Sequence, residues 1–301
     1  MRIGVDLGGT KIEGAVFGTG SKILHRERVA TPRGDYAGTL VAISELVKAL
    51  ESAAGTAALA VGVGHPGSLS PVTGRLRNSN STWMNDRPLK QDLERALGRE
   101  VRLANDANCF ALSEAIDGAA AGAPCVFGVI LGTGCGGGVV VNREVLHGAN
   151  GVTGEWGHNA LPWPRPEWDE VPGPACWHGG HGCLETWISG SGLAADHQRV
   201  AGEALAAEQI VSRAEAGDER CGATLSRYED RLARALAAVI NLLDPQVIVL
   251  GGGVSGLARL YRNVPRLWDQ WIFSDRVETK LVPPAHGDSS GVRGAAWLWP
   301  E

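Results

Sequence analysis

The segment Asn105-Asp106-Ala107-Asn108 places one carboxylate between two amides. A carboxylate can take the proton of an attacking hydroxyl as a general base, and a neighbouring amide can bind a sugar hydroxyl. Asp and Asn are also the residue types that cap helices, and this segment lies between an apolar strand and a helix. A pure cap requires only one such side chain. Taken alone, the segment leaves catalysis by Asp106 and capping by Asp106 or Asn108 equally open.

A glycine turn with polar neighbours follows the first apolar run, in Asp6-Leu7-Gly8-Gly9-Thr10-Lys11. Glycine lets the backbone approach a ligand, and successive amides can bind phosphate oxygens. Thr10 adds a hydroxyl, Lys11 adds a cation, and Asp6 could hold a metal-bound water beside the phosphates. A plain hairpin turn is the alternative for so short a motif.

Two further glycine segments follow apolar strands. LGTGCGGG at 131–138 contains five glycines, more than a turn requires, and indicates a second phosphate loop. GGG at 251–253 follows a buried strand, and strand ends of this kind often bind nucleotides. The last segment is weak evidence by itself, because glycine turns are common.

Cysteine and histidine cluster at 176–183, in the order CWHGGHGC. Thiolate and imidazole are the ligands that tetrahedral Zn²⁺ prefers. The surrounding stretch 161–182 is rich in Pro, Gly, Trp and His and lacks periodicity, so a metal would explain its order. The alternative is coincidence in a His-rich loop. The segment EWGH at 155–158 adds Glu155 and His158 upstream.

The elements that must position these residues follow an α/β pattern. Apolar runs and periodicity predict strands at 2–6, 12–17, 23–30, 59–64 and 101–104, and helices at 36–54, 88–97 and 109–121. A similar order returns later, with strands at 125–131, 139–142 and 247–250 and a helix at 228–243. This internal duplication predicts two related α/β lobes with a cleft between them.

Composition excludes several classes of protein. The net charge of the 301 residues is −5 and no stretch is strongly basic, which argues against a nucleic-acid surface. The N-terminus enters a strand at once and does not resemble a signal peptide, and no apolar run is long enough for a membrane span. Six cysteines are too few for a disulfide scaffold, so a reduced, cytoplasmic protein is expected.

The motifs together, in this order, resemble the ROK family of sugar kinases, which share the actin and hexokinase ATPase fold. The likeness spans nearly the whole chain, through DLGGTK at 6–11, PG at 66–67, NDAN at 105–108, LGTGCGGG at 131–138, EWGH at 155–158, GCLE at 182–185, GGG at 251–253 and HGDSSGVRGAAWLW at 286–299. The stretch 78–83 and the C-terminal run are most similar to bacterial fructokinases of the manno(fructo)kinase type.

The resemblance implies a role for each matching residue. Asp106 would be the catalytic base. The sugar would be bound by Gly67, Asn105, Glu155, His158 and Glu185. ATP phosphates and Mg²⁺ would be surrounded by Asp6, Gly8, Gly9, Thr10, Lys11, Thr133 and Gly134, and adenosine by Gly252 and Gly253. Structural Zn²⁺ would be held by His158, Cys176, His178 and Cys183. His178 replaces the family's usual cysteine, and His181 is not expected to bind the metal.

The expected fold is therefore a two-lobed, actin/hexokinase-like α/β ATPase with a central nucleotide and sugar cleft. Residues 1–113 with a C-terminal helix at 289–301 would form a small lobe, and residues 114–288 a large lobe with the zinc loop. Phosphorylation of fructose to fructose 6-phosphate is expected, with mannose as a possible second substrate and a homodimer as the assembly.

Other functions remain open. Glucokinase and N-acetylglucosamine kinase share nearly every motif. A sugar-responsive transcriptional regulator is disfavoured, because a strand at residue 2 leaves no room for a helix-turn-helix ahead of it. An actin-like scaffold or chaperone would not need both NDAN and EWGH.

Overall fold

The computed structural model describes residues 1–300 of the chain. The strands are β1 Arg2–Leu7, β2 Lys11–Phe17, β3 Ile23–Ala30, β4 Ala60–His65, β5 Ser68–Leu69, β6 Leu76–Arg77, β7 Val101–Asn105, β8 Cys125–Leu131, β9 Cys135–Val141, β10 Glu144–Val145, β11 Val247–Gly251 and β12 Lys280–Val282. The helices are α1 Tyr36–Ala54, α2 Leu89–Leu97, α3 Asp106–Ile116, α4 Glu185–Ile188, α5 Gly190–Ala201, α6 Ala207–Glu215, α7 Glu219–Leu243, α8 Ala258–Trp268 and α9 Ser290–Trp297. No helix within residues 1–300 combines the length and apolar character that crossing a bilayer requires.

The chain forms two compact units. The first comprises residues 1–122, 138–153 and 285–301, and the second comprises 123–137 and 154–284. The lobe boundaries expected from the sequence stay a proposal, and residue 301 of the expected C-terminal helix lies outside the described residues.

Two five-stranded sheets repeat one strand order. The first sheet runs β3-β2-β1-β4-β7, and the second runs β10-β9-β8-β11-β12. In the first, β1 pairs with β2 antiparallel and with β4 parallel. In each sheet the first strand in sequence is therefore central, with a hairpin on one side and later strands on the other. The duplication predicted from the sequence is confirmed.

Helix α9 packs directly on the first sheet. A Cβ atom added to Gly4 of β1 would lie 1.9 Å from the Val292 carbonyl oxygen, and one on Gly62 of β4 would lie 1.8 Å from that of Ala295. Only glycine permits this approach of helix backbone to strand. The packing brings the first turn of α9 to the end of β1, where a Cβ on Gly291 would lie 2.8 Å from Asp6 Oδ2.

The second unit has a core of apolar side chains crossed by buried arginines. Phe127, Trp187 and Leu236 are buried, as are Arg231 and Arg234 of α7. Buried guanidinium groups require partners, because an unpaired charge in the interior is strongly unfavourable. Both pair with Glu170 in the loop that precedes α4, which fixes that loop to the core, while Arg231 also pairs with Asp196 of α5 and Arg234 with Asp230 of α7.

Candidate functional site

The ends of three strands bring the predicted residues of the first unit together. β1, β4 and β7 are parallel neighbours, with Asp6 opposite Gly64 and His65 opposite Asn105. The carboxyl ends of parallel strands meet at one edge of a sheet, which is the usual ligand-binding edge of such folds. Asp106 follows directly as the first residue of α3. Asp6 and Asp106 thus lie at the same edge although 100 positions separate them in the sequence.

Asp6 lies in an environment that disfavours its charge. Burial is the main reason that the pKa of Asp6 rises from 3.8 to about 6, and the negative charges of Asp106 and Glu13 raise it further while Lys11 opposes them. A divalent cation would offset both the cost of burying the Asp6 charge and its repulsion by the neighbouring carboxylates. Adjacent carboxylates are donors that Mg²⁺ prefers, so the residues present fit a magnesium-nucleotide complex.

The raised pKa predicts that Asp6 destabilises the free protein above pH 6. The folded state binds this proton more tightly than the unfolded state, so stability falls as the pH rises from about 4 to about 6 and stays lower above. We expect Asp6→Asn to increase the free energy of unfolding by about 1–3 kcal/mol at pH 8, without nucleotide or divalent cation, and to change it little at pH 4. Urea denaturation at both pH values measures this.

Asp275→Asn is the matched control, since Asp275 is exposed. Equal stability of Asp6→Asn and the wild type at pH 8 would contradict the prediction.

Both polar atoms of the Asn105 side chain hydrogen-bond to backbone groups. Its Oδ1 accepts a hydrogen bond from the Ala107 N–H at 2.8 Å, and its Nδ2 donates to the Gly67 carbonyl oxygen at 2.9 Å. Asn105 is thus the N-cap of α3, and the alternative that Asp106 or Asn108 is the cap is wrong. The helix starts at Asp106, one residue earlier than a cap at Asp106 would need and three earlier than a cap at Asn108 would need. Asp106 is exposed on the first turn, and its Oδ1 also accepts from the Ala107 N–H, at 2.8 Å, while Asn105 remains the N-cap.

Gly67 has a conformation that a side chain would strain. Its φ is +80°, and a Cβ atom there would lie 2.4 Å from the Arg77 carbonyl oxygen. Glycine therefore allows the turn whose carbonyl Asn105 holds. The other predicted turn, Gly8 to Lys11, closes the β1–β2 hairpin with a hydrogen bond from the Gly8 N–H to the Lys11 carbonyl oxygen at 3.0 Å. Thr10 and Lys11 are exposed there.

A cavity of about 650 Å³ lies in the second unit. Thr133 and Gly253 line it, as predicted for nucleotide-binding residues, and Gly134 and Gly252 adjoin these two in the chain. Its other lining residues are Leu131, Gly132, Gly190, Ser191, Leu193, Ala194, Ala206, Ala207, Glu208, Val211, Ser212, Glu215, Val254 and Leu257. Most of these come from α5 and α6. Sequence reasoning missed them, because small and apolar helix positions carry no motif.

Only the first half of LGTGCGGG is a turn. β9 begins at Cys135, so the last three glycines belong to a strand, and the prediction of a loop throughout 131–138 is wrong. Packing explains the difference. A Cβ on Gly137 would lie 2.8 Å from the Trp156 ring, and one on Gly138 would lie 2.6 Å from the Ala107 carbonyl oxygen. These two glycines serve close packing, while Gly132 to Gly134 form the turn.

Four candidate zinc ligands converge in the second unit. The ligand atoms of His158, Cys176, His178 and Cys183 all lie within 4.8 Å of one another. The contacts from Cys176 Sγ to His158 Nδ1 and from Cys183 Sγ to His178 Nδ1 both measure 3.7 Å. Zn–S and Zn–N bonds of normal length place neighbouring tetrahedral ligand atoms about 3.5 Å apart, so the cluster fits a structural zinc ion.

Two further observations concern the cluster. Burial raises the pKa of the Cys183 thiol to about 11, and Cys176 adds to this shift. His181 is outside the cluster, and its backbone bridges to Ala175 instead. This agrees with the expectation that His181 is not a ligand.

The loop that carries Cys176 also has a second anchor. Glu170 is buried and accepts hydrogen bonds from Arg231 and Arg234, at 2.7–2.9 Å. Arg234 also donates to the carbonyl oxygens of Pro162 and Trp163. Arg234 hydrogen bonds lower the pKa of Glu170 against the opposing effect of its burial, so the carboxylate stays charged. These ion pairs and hydrogen bonds would therefore order residues 161–182 independently of a metal.

Two predicted sugar ligands of this unit differ in their surroundings. Glu185 starts α4, and its Oε2 accepts from the Cys135 N–H at 3.0 Å. Glu155 is exposed and precedes a 3₁₀ turn, Trp156–His158. Trp156 is buried edge-on against Phe127, so the turn that carries His158 is attached to the sheet.

Comparison with known proteins shows the family. The ROK family model matches residues 2–301. An N-acetyl-D-glucosamine kinase from Pasteurella multocida (strain Pm70) is 41% identical over 305 residues, covering 99% of each chain. The crystal structure of a ROK hexokinase from Thermus thermophilus has a TM-score of 0.88 and 32% identity, covering 99% of this chain and 97% of that one. A ROK family glucokinase from Streptomyces griseus, solved with glucose and AMPPNP, has a TM-score of 0.76 and 28% identity, covering 99% and 98%.

The protein is an α/β protein of the two-lobed, hexokinase-like class. Its defining features are the repeated sheets, the carboxylates at the edge of the first sheet and the Cys/His cluster. The chain belongs to the ROK family.

Proposed function

We propose that this chain is an ATP-dependent N-acetylglucosamine kinase. The observation that carries the proposal is the 41% identity, over 99% of both chains, to a relative with that name. This identity favours phosphorylation of N-acetylglucosamine, which the sequence had left open as an alternative, over phosphorylation of fructose.

Residues 78–83, whose likeness suggested fructose, stabilise their own loop. Ser79 and Ser81 are buried, and the Ser81 N–H donates to Ser79 Oγ at 3.1 Å. The Asn85 side chain exchanges two hydrogen bonds with the Ser79 backbone. Residues that stabilise their own loop are poor indicators of which sugar is bound. The likeness at 78–83 therefore carries less weight than the match along the whole chain.

The proposed reaction transfers the γ-phosphoryl group of ATP to a sugar hydroxyl. The hydroxyl oxygen forms a bond to the γ-phosphorus while the bond from that phosphorus to the β–γ bridging oxygen breaks, releasing ADP. The hydroxyl proton passes to the Asp106 carboxylate, which is exposed and is not needed to cap α3. Mg²⁺ bound with ATP would offset the charge of the phosphates, and Asp6 is the proposed carboxylate that would hold it.

The proposed nucleotide site is the cavity beside Thr133 and Gly253. Its volume of about 650 Å³ falls in the range of small-molecule sites. Leu193, Ala194, Ala207 and Val211 of this lining suit a purine base. The backbone amides of Thr133 and Gly134 are the proposed phosphate donors. Gly252 and Gly253 stay proposed adenosine contacts. The homodimer implied by the resemblance and the cytoplasmic location inferred from the cysteine content also stay predictions.

We expect N-acetylglucosamine to have the highest kcat/KM among N-acetylglucosamine, glucose, mannose and fructose, by about tenfold or more. A site that hydrogen-bonds a substrate group discriminates strongly against sugars that lack it, because its polar groups are then left unpaired. A coupled ADP-release assay across the four sugars measures this ratio. Asp106→Asn protein purified in parallel controls for contaminating kinases. A higher kcat/KM for fructose would restore the fructokinase interpretation, and phosphorylation of none of the four would overturn the proposal.

A further inference from the structure

Trp177 stands between two of the proposed zinc ligands, Cys176 and His178, but its side chain is not part of the core. It is 68% exposed, whereas Trp187 in the same unit is fully buried. A large aromatic ring so exposed contributes little apolar burial. Packing is therefore a poor explanation for tryptophan at this position.

The indole of Trp177 has a specific polar partner. Its Nε1–H donates to Glu185 Oε1 at 3.0 Å, and Glu185 Oε2 accepts from the Cys135 N–H at 3.0 Å. Both carboxylate oxygens are thus oriented by uncharged donors. Each oxygen accepts one of these hydrogen bonds and keeps a further lone pair that a sugar hydroxyl can use.

The Trp177 ring also contacts one of the proposed zinc ligands. The Trp177 ring meets His158 edge-on, with centroids 5.1 Å apart. A Cβ on Gly134 would lie 2.7 Å from Glu185 Oε2, so the carboxylate is confined on that side too. The indole therefore connects the loop that holds the cluster to a carboxylate confined between two backbone segments.

We infer that Trp177 is a positioning residue for sugar binding, which orients the Glu185 carboxylate toward a sugar hydroxyl through its indole N–H. The inference rests on the proposed function, in which Glu185 binds the sugar. Through this hydrogen bond, the loop that carries the proposed zinc ligands would affect sugar binding independently of His158. Trp177 itself is not assigned a contact with the sugar.

The test removes the N–H and keeps an aromatic ring. Trp177→Phe is expected to raise the KM and the calorimetric Kd for the preferred sugar roughly tenfold, as for a lost hydrogen bond to a charged group. The KM for ATP and the zinc content by atomic emission should stay at the wild-type values. Trp163→Phe is the matched control, because Trp163 lies in the same loop, is partly exposed and stacks on Trp271 instead.

A double-mutant cycle with Glu185→Gln separates positioning from general loosening of the loop. If Trp177 acts through Glu185, Trp177→Phe should change sugar affinity by less than about twofold in the Glu185→Gln background. Full additivity, loss of zinc, or a KM change no larger than that of Trp163→Phe would each overturn the inference. Failure of the proposed function is distinguishable, since the wild type would then phosphorylate none of the sugars before any variant is compared.

Discussion

Asp106→Asn is expected to fold normally and to lose about 10²–10⁴-fold of kcat, since an amide cannot accept the proton of the attacking hydroxyl. The fold should tolerate the change because Asp106 is exposed and Asn105 is the cap of α3. The isosteric amide keeps the shape of the side chain. The substitution removes the interaction of the charge with the helix N-terminus, worth about 0.3–1 kcal/mol. It also removes the repulsion between Asp106 and Asp6.

Steady-state kinetics with the preferred sugar measure this effect, with KM values for both substrates determined alongside. Glu219→Gln is a matched control, because Glu219 is an exposed acidic residue at the start of α7. It should retain the activity of the wild type. A kcat for Asp106→Asn within a few-fold of the wild type would remove Asp106 from the proposed mechanism.

Loss of the metal is the second large expected effect. Wild-type protein should carry one zinc ion per chain, and Cys176→Ser and His178→Ala should carry little or none. Both variants should lose sugar affinity by about tenfold or more, because ordering of the ligand loop depends on the ion in sites of this kind. A closed site of four protein ligands has no position for a reacting water, so the effect should fall on sugar binding.

The second unit should remain folded without the ion. Glu170, Arg231 and Arg234 anchor the loop independently, and none of the four ligands lies in a strand of the sheet. Atomic emission, calorimetry with the sugar and thermal unfolding of each variant distinguish local from global effects. His181→Ala is the matched control, being the same residue type in the same loop but outside the cluster. Zinc-free wild type would refute the site, and loss of zinc from His181→Ala but not from His178→Ala would refute the ligand assignment.

The sequence by itself determined the features that are encoded within a few residues. Apolar runs and glycine turns predicted that a similar succession of strands occurs twice along the chain, because the period of side chains along a strand is a local property. The spacing of Cys176, His178 and Cys183 indicated a metal site, because three ligands within eight residues can meet around one ion when a glycine-rich loop folds back. His158 joined them only through the family resemblance.

Only the tertiary structure decided the features that depend on pairs of distant residues. Asp6 gains its raised pKa from burial and from Asp106, which strand pairing brings to the same edge. The anchoring of Glu170 depends on arginines more than 60 positions away, at buried sites where a pattern of polarity would predict solvent exposure.

The assignment of individual polar groups also required the fold. The amide of Asn105 is a group that could bind a sugar hydroxyl. In the structure its Nδ2 donates to the Gly67 carbonyl oxygen and its Oδ1 accepts from the Ala107 N–H. Trp177 gives no signal in the sequence except its place between two ligands, and its contact with Glu185 appears only when the loop folds against α4. Residue type and spacing limit what a side chain can do, whereas its hydrogen-bond partners are set by the packing of segments far apart in the chain.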